Sequence, residues 1–183
     1  MGGLFVISGS SGVGKGTVIK EFLKKHPDFK LSVSCTTRKK RENETEGRNY
    51  FFLTHDEFRQ CVLNDEFLEW TEFSGNYYGT KKSFIKECLE AENNLILEID
   101  TKGALNVKRL MPESVLIFIS PPSTDALEAR LRGRHTESEE AIQMRLSQIK
   151  FELENSQKFD HVIINDTVEN TVNRLENILC YGL

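Results

Sequence analysis

Apolar positions gather in four short runs: Leu4 to Ile7, Leu95 to Leu97, Val115 to Ile119 and Val162 to Ile164. Each is too short for a buried helix and predicts a strand, and the second and third runs read as strands covered on both faces. The second run continues through Glu98 and Ile99 to Asp100, which places both carboxylates on one face at the end of that strand. Between the runs the spacing becomes helical. Val18, Ile19, Phe22 and Leu23 share a face before His26-Pro27; a second helix ends near Met111-Pro112; Leu127 and Leu131 mark a third; the last runs from Thr167 to Cys180. Strands alternating with helices predict an α/β fold built on a parallel sheet.

Two stretches break this rhythm. Between Leu31 and Thr80 the pattern reads as a small mixed α/β insertion: a short run Leu31 to Ser34, a strand Tyr50 to Leu53, a capping box Thr54-His55-Asp56-Glu57 opening a helix, an imperfect alternation from Phe67 to Phe73, and a Gly75-Asn76 turn into Tyr77 to Thr80. From Arg130 to Arg145 the chain is densely charged, and Thr136 to Glu139 forms a second capping box before a long helix. No repeat, low-complexity tract or linker divides the chain.

A length of 183 residues suits one domain. The net charge of −4 argues against broad binding to nucleic acid or to an acidic membrane, so any basic cluster serves a small local anion. Cys35, Cys61, Cys88 and Cys180 form no C-x-x-C pair, and no run reaches the length of a membrane span. A cytoplasmic protein with reduced thiols is the expectation.

The chemistry begins after the first strand, at Gly9-Ser10-Ser11-Gly12-Val13-Gly14-Lys15-Gly16-Thr17. Its glycines let successive amides converge on one anion at the positive end of the following helix, and Lys15 adds a point charge for the outer phosphates: this is a nucleotide-binding P-loop. The residue after the lysine in the general pattern is Ser or Thr, a Mg²⁺ ligand; here it is Gly16, with Thr17 one place late. Either Thr17 takes part, or phosphate oxygens and water hold the ion.

Four further groups are polar beyond the needs of stability. Arg38 and Arg41 form a pair of guanidinium forks suited to a phosphate dianion, although a run of basic residues is as often a solvated face. Glu69, followed by Tyr78 and Thr80, offers two acceptors to the adjacent N1–H and amine of guanine, and it would repel the bare N1 acceptor of adenine. Alone, it reads more simply as an outward-facing strand carboxylate. Glu98 and Asp100 suit a hydrated Mg²⁺ or an accepting phosphate, and Asp100 also suits a helix cap. Arg130, Arg132, Arg134 and Arg145 surround Gly133; Arg134 and Arg145 reach a transferring phosphoryl group only if their segment folds over as a lid.

Assembled, these stretches resemble the guanylate kinase family from end to end: Ser-Gly-Val-Gly-Lys, Ser34-x-Thr36-Thr37-Arg38-x-x-Arg41, Gly47 to Tyr50, Phe73 to Thr80, Glu98-Ile99-Asp100-x-x-Gly103, Pro121-Pro122-Ser123, Gly133-Arg134-x-Thr136-Glu137 and Asn165-Asp166. The resemblance implies one domain over residues 1–183. Its P-loop core would span about 1–32 and 94–183, with a nucleoside-monophosphate-binding insertion at about 33–93 and a helical lid at about 124–155. It implies that Ser34, Arg38, Arg41, Tyr50, Glu69, Tyr78, Thr80 and Asp100 hold GMP, and that Lys15, Arg41, Arg134 and Arg145 act on the transferring phosphate. ATP would lie on Gly9 to Thr17 with Asn165 and Asp166 against its adenine, and Mg²⁺ near Thr17 and Asp100. The implied reaction is Mg²⁺-dependent, in-line transfer of the ATP γ-phosphoryl group to GMP or dGMP, with no nucleic-acid or membrane partner. Departures are Gly16 and His135, the latter standing where Gly is frequent. The rival reading is a guanylate-kinase-like module that binds protein with little catalysis.

Overall fold

A computed structural model describes residues 2–10, 12–73, 75–123 and 139–182, with the side chains of 140, 141 and 145 left out. Ser11, the charged segment with Arg130, Arg132, Arg134 and His135, the helix expected around Leu127 and Leu131, and the start of the second capping box therefore lie outside the described residues.

The core is a five-stranded, wholly parallel sheet. Its strands are β1 (Leu4–Gly9), β2 (Phe29–Leu31), β7 (Asn94–Glu98), β8 (Val115–Ser120) and β9 (His161–Ile164), in the order β2-β7-β1-β8-β9. Successive side chains on the central strands go to opposite faces, which is why their sequences are unbroken apolar runs. Leu4, Val6, Leu95, Leu97, Leu116 and Phe118 pack on one side, Ile7, Ile96, Ile117 and Ile119 on the other. The second group meets α1 (Lys15–Lys25) through Val18, Ile19 and Phe22, and α6 (Val168–Tyr181) through Val172, Leu175 and Leu179. The first meets α3 (Lys82–Glu90) through Ile85 and α4 (Thr101–Leu110) through Ala104 and Val107.

A second sheet, β4-β3-β6-β5, occupies the insertion: β3 (Cys35–Thr36), β4 (Phe51–Phe52), β5 (Phe67–Phe73) and β6 (Asn76–Lys81). It is mixed, with β3 parallel to β4 and antiparallel to β6. The helix α2 (His55–Leu63) closes it, begun by the expected capping box: Thr54 accepts from the Glu57 amide while Glu57 reaches back to the Thr54 amide at 2.7 Å. A long helix, α5 (Glu139–Ser156), leads to β9.

One expectation needs correction. The strand predicted to reach Asp100 ends at Glu98, so the two carboxylates do not share a strand face; Asp100 is the N-cap of α4 and accepts from the Gly103 amide at 2.7 Å. The alternation of Phe67 to Phe73 is imperfect because the β5–β6 register slips between Phe67 and Glu69. That bulge turns Leu68 toward the main core, while Phe67 and Trp70 both face Phe58 of α2.

Candidate active site

β1 ends at Gly9 and α1 begins at Lys15, so the intervening loop lies at the C-terminal edge of the sheet, where open α/β sheets bind their ligands. Gly14 caps α1 at φ 98°, a left-handed conformation that suits glycine, and no side chain caps the first turn. The Thr17 amide donates to the Gly14 carbonyl at 3.1 Å, and no side chain competes with an anion for the amides before it. Asn165, after β9, braces the loop: its Nδ2 donates to the Val13 carbonyl at 2.6 Å and its Oδ1 accepts from the Thr171 hydroxyl at 2.8 Å. Lys15 curls back to donate to the Gly9 carbonyl at 2.9 Å. Burial pulls its pKa below the usual lysine value, and the nearby carboxylates of Glu98, Glu152 and Asp100 oppose that shift. Ser10 Oγ is buried without a hydrogen-bond partner among the described residues, a group that a phosphate oxygen would satisfy.

The other end of the site is built on the second sheet. Glu69 and Thr80 are cross-strand neighbours on β5 and β6, and the bulge has turned Glu69 inward until it is only 4% exposed. Thr80, itself fully buried, donates its hydroxyl to Glu69 Oε1 at 2.7 Å. Its single proton being committed there, Ser34 must donate in turn to Thr80, at 3.2 Å. Burial is the main cause that pushes the Glu69 carboxyl up to about 7; Asp100 adds to the shift and the bonds from Thr80 oppose it. Arg38 makes a two-pronged pair with Glu44 at 2.6 and 3.1 Å and lies 5.4 Å from the centre of the Tyr50 ring, which meets Tyr78 edge-on at 6.1 Å. Arg41 is exposed, its amide donating to Glu44 at 2.8 Å.

A cavity of about 350 Å³ joins the two ends. Gly9 and Lys15 line it from the loop; Ser34, Tyr50, Glu69 and Tyr78 from the insertion; Glu98 and Asp100 from the sheet edge. The Glu98 carboxyl is raised by the crowding of the cleft and lowered in part by Lys15. Gly16 faces it: a Cβ there would stand 3.6 Å from Glu98 Oε1. Thr17 is exposed on α1 and does not line the cavity, and Asp166 pairs with Arg174 at 3.1 Å. Among the lining residues that escaped the sequence are Gln148 and Glu152, one turn apart on α5, joined by a 3.2 Å bond from Gln148 Nε2. Glu152 is buried on an otherwise highly charged helix, a distinction that composition and spacing do not carry. Glu44, the partner of Arg38, was likewise missed.

A model of the guanylate kinase family matches residues 1–181. The chain belongs to the guanylate kinase family. Guanylate kinase of Trichodesmium erythraeum is 46% identical over 178 residues, covering 97% of this chain and 96% of the relative. That of Clostridium acetobutylicum is 48% identical over 176 residues, covering 96% and 84%. The crystal structure of guanylate kinase from Anaplasma phagocytophilum superposes with a TM-score of 0.79 at 32% identity, covering 97% of this chain and 84% of that one. The α/β architecture with its parallel P-loop core is thus a guanylate kinase fold, and the match runs across the main sheet, the insertion and α5 alike.

Proposed function

We propose that the cavity is where the chain, as an ATP:GMP phosphotransferase, aligns its two nucleotides for direct in-line transfer. The observation that carries this reading is the Ser34–Thr80–Glu69 chain of hydroxyls and carboxylate, whose two ends, Ser34 and Glu69, line the same cavity as Lys15. Glu69 accepts from guanine N1–H and the exocyclic amine, with Ser34 and Thr80 fixing its orientation. Arg38, Arg41, Tyr50 and Tyr78 take the GMP phosphate; for Arg38 this means leaving Glu44, an exchange of one anion for a more highly charged one. Lys15 leaves the Gly9 carbonyl for the ATP phosphates, which lie on the amides of Gly9 to Thr17. Arg134 and Arg145 supply positive charge to the transferring group. Their support is the sequence motif and, for Arg145, its place on α5 three and seven residues before Gln148 and Glu152.

The acceptor phosphate is already an anion, so the protein's tasks are alignment and charge neutralisation rather than proton abstraction. In this reading the insertion at 33–93 and the lid at 124–155 close over the nucleotides and exclude water, which would otherwise accept the phosphoryl group.

The donor set fits Mg²⁺. Glu98 and Asp100 are hard oxygen ligands at the mouth of the P-loop, and Gly16 leaves space beside Glu98. Among the described residues no three acidic, His or Cys side chains cluster as a protein-made metal cage. When bound, Mg²⁺ would neutralise charge between the phosphates. No described helix is long and apolar enough to cross a membrane, and a cytoplasmic place of action agrees with ATP and GMP as substrates and with four unpaired cysteines.

A coupled assay of ADP release with Mg-ATP and GMP, dGMP, AMP, CMP or UMP tests the reading. Turnover is expected with GMP and dGMP; silence with all five would favour the protein-binding module instead.

A further inference from the structure

Gly103 lies in the first turn of α4 and is buried against the second sheet. Its backbone is not left-handed, so its φ makes no demand for glycine, and within a helix glycine is a poorer former than alanine. What the position demands is space. A Cβ there would stand 2.8 Å from Glu69 Oε2, closer than a carbon approaches a carboxylate oxygen, and 3.3 Å from Asp100 Oδ1. The other Glu69 oxygen is the one held by Thr80 at 2.7 Å.

We propose that Gly103 is a specificity-determining positioning residue: by lacking a side chain, it lets the Glu69 carboxylate take up the orientation that reads the purine base. The inference rests on the assignment of Glu69 to guanine. One oxygen of the carboxylate is held by the Thr80 hydroxyl, and the other occupies space that a side chain at position 103 would fill. An added methyl leaves the Glu69 main chain in place and displaces only the flexible end of its side chain. Thr80 then loses its alignment, and the two acceptor oxygens leave the plane of the base. Because the yielding atom is a side-chain terminus, the penalty falls on recognition rather than on folding. Position 103 thus acts on the base from the main domain, across the junction of α4 with β5.

The experiment compares Gly103→Ala, Glu69→Gln and the double variant in steady-state kinetics with GMP and AMP, alongside thermal melting. Gly103→Ala is expected to raise the KM for GMP tenfold or more, with kcat within threefold, the KM for Mg-ATP within twofold, and an unchanged or higher Tm. A role in packing alone would lower Tm and spare the KM. The double variant is expected to match Glu69→Gln within twofold, since the methyl has no reading carboxylate left to displace. A GMP KM within twofold of the parent in Gly103→Ala, beside a clear loss of GMP-over-AMP preference in Glu69→Gln, would overturn the proposal and leave the base assignment standing. An unchanged preference in Glu69→Gln would overturn the assignment, and the proposal with it. Should Gly103→Ala not fold, it is repeated in a Glu69→Asp background, whose shorter side chain clears the methyl. There the chain is expected to fold with a GMP KM within twofold of Glu69→Asp alone; a further tenfold loss, or no folded protein, would overturn the proposal.

Discussion

At the scale of single residues, the burial of one carboxylate bears on both the proposed recognition and stability. In the proposed reading Glu69 accepts from guanine only when ionised, and its carboxyl is pushed up to about 7. The kcat/KM for GMP is therefore expected to rise roughly tenfold between about pH 6 and 8. The GMP phosphate ionises near the lower end of that range, so the control is Glu69→Gln, whose profile should keep only the phosphate limb. The same shift acts on folding with a definite sign. The folded chain holds the Glu69 proton up to about 7, whereas the unfolded chain releases it near 4.5. The native state binds more protons in that window, so this residue's contribution to stability falls as pH rises through it, by about 3 kcal/mol in all. Urea unfolding should find Glu69→Gln more stable than the parent at pH 8, with the gap closing toward pH 5. The identity of Glu69 was legible in the sequence, beside Trp70 and ahead of Tyr78 and Thr80. Its burial was not, because an acid followed by a tryptophan reads as acid outside and ring inside, and here the glutamate is 4% exposed and the tryptophan 48%. The slip of register at Leu68 makes that inversion, and it depends on which residue of β6 each residue of β5 meets.

At the scale of elements, local signals were read well and their partners poorly. The cap of α2 and the turn into α1 lie within a few consecutive residues, so the sequence contains all that forms them. The helix α3 has no counterpart in the sequence reading although Phe84, Ile85, Cys88 and Leu89 have helical spacing, because its N-cap residue, Lys81, makes no side-chain cap. Asn165, which the resemblance places against adenine, also bonds Val13 and Thr171, which makes it a strut between the P-loop and the start of α6. Asn165→Ala should therefore loosen the loop as well as weaken the fold. Two hydrogen bonds are lost, one leaving the Val13 carbonyl unmet, for a cost of about 1–3 kcal/mol. Titration calorimetry should show weaker ATP binding, while GMP affinity stays within about twofold of the parent. An equal loss for both nucleotides would mean general destabilisation instead.

At the scale of the whole molecule, the main sheet carries the P-loop, the smaller sheet carries Glu69, and α4 touches both. In the proposed reading a nucleotide in the cavity is held by side chains from both sheets, so it stabilises the native state as one unit. GMP at about one hundred times its Kd should add about 2.7 kcal/mol to the unfolding free energy, read from urea curves followed both by circular dichroism and through Trp70 of the insertion. Two separate transitions, only one of them moved by GMP, would show instead that the insertion unfolds alone.

By itself the sequence determined the α/β class, the P-loop, the capped helices and the chemical types needed for two phosphates and a purine. Those features rest on contacts between residues a few positions apart, or on hydrophobic runs whose period is plain. Only the tertiary structure decided that Glu69 faces inward, that Asp100 caps a helix rather than extending a strand, that Asn165 braces a loop 152 residues earlier in the chain, and that Glu152 reaches the cavity. Burial and charge pairing between distant segments arise when sheets and helices pack, and no one-dimensional spacing encodes which far residue will be met.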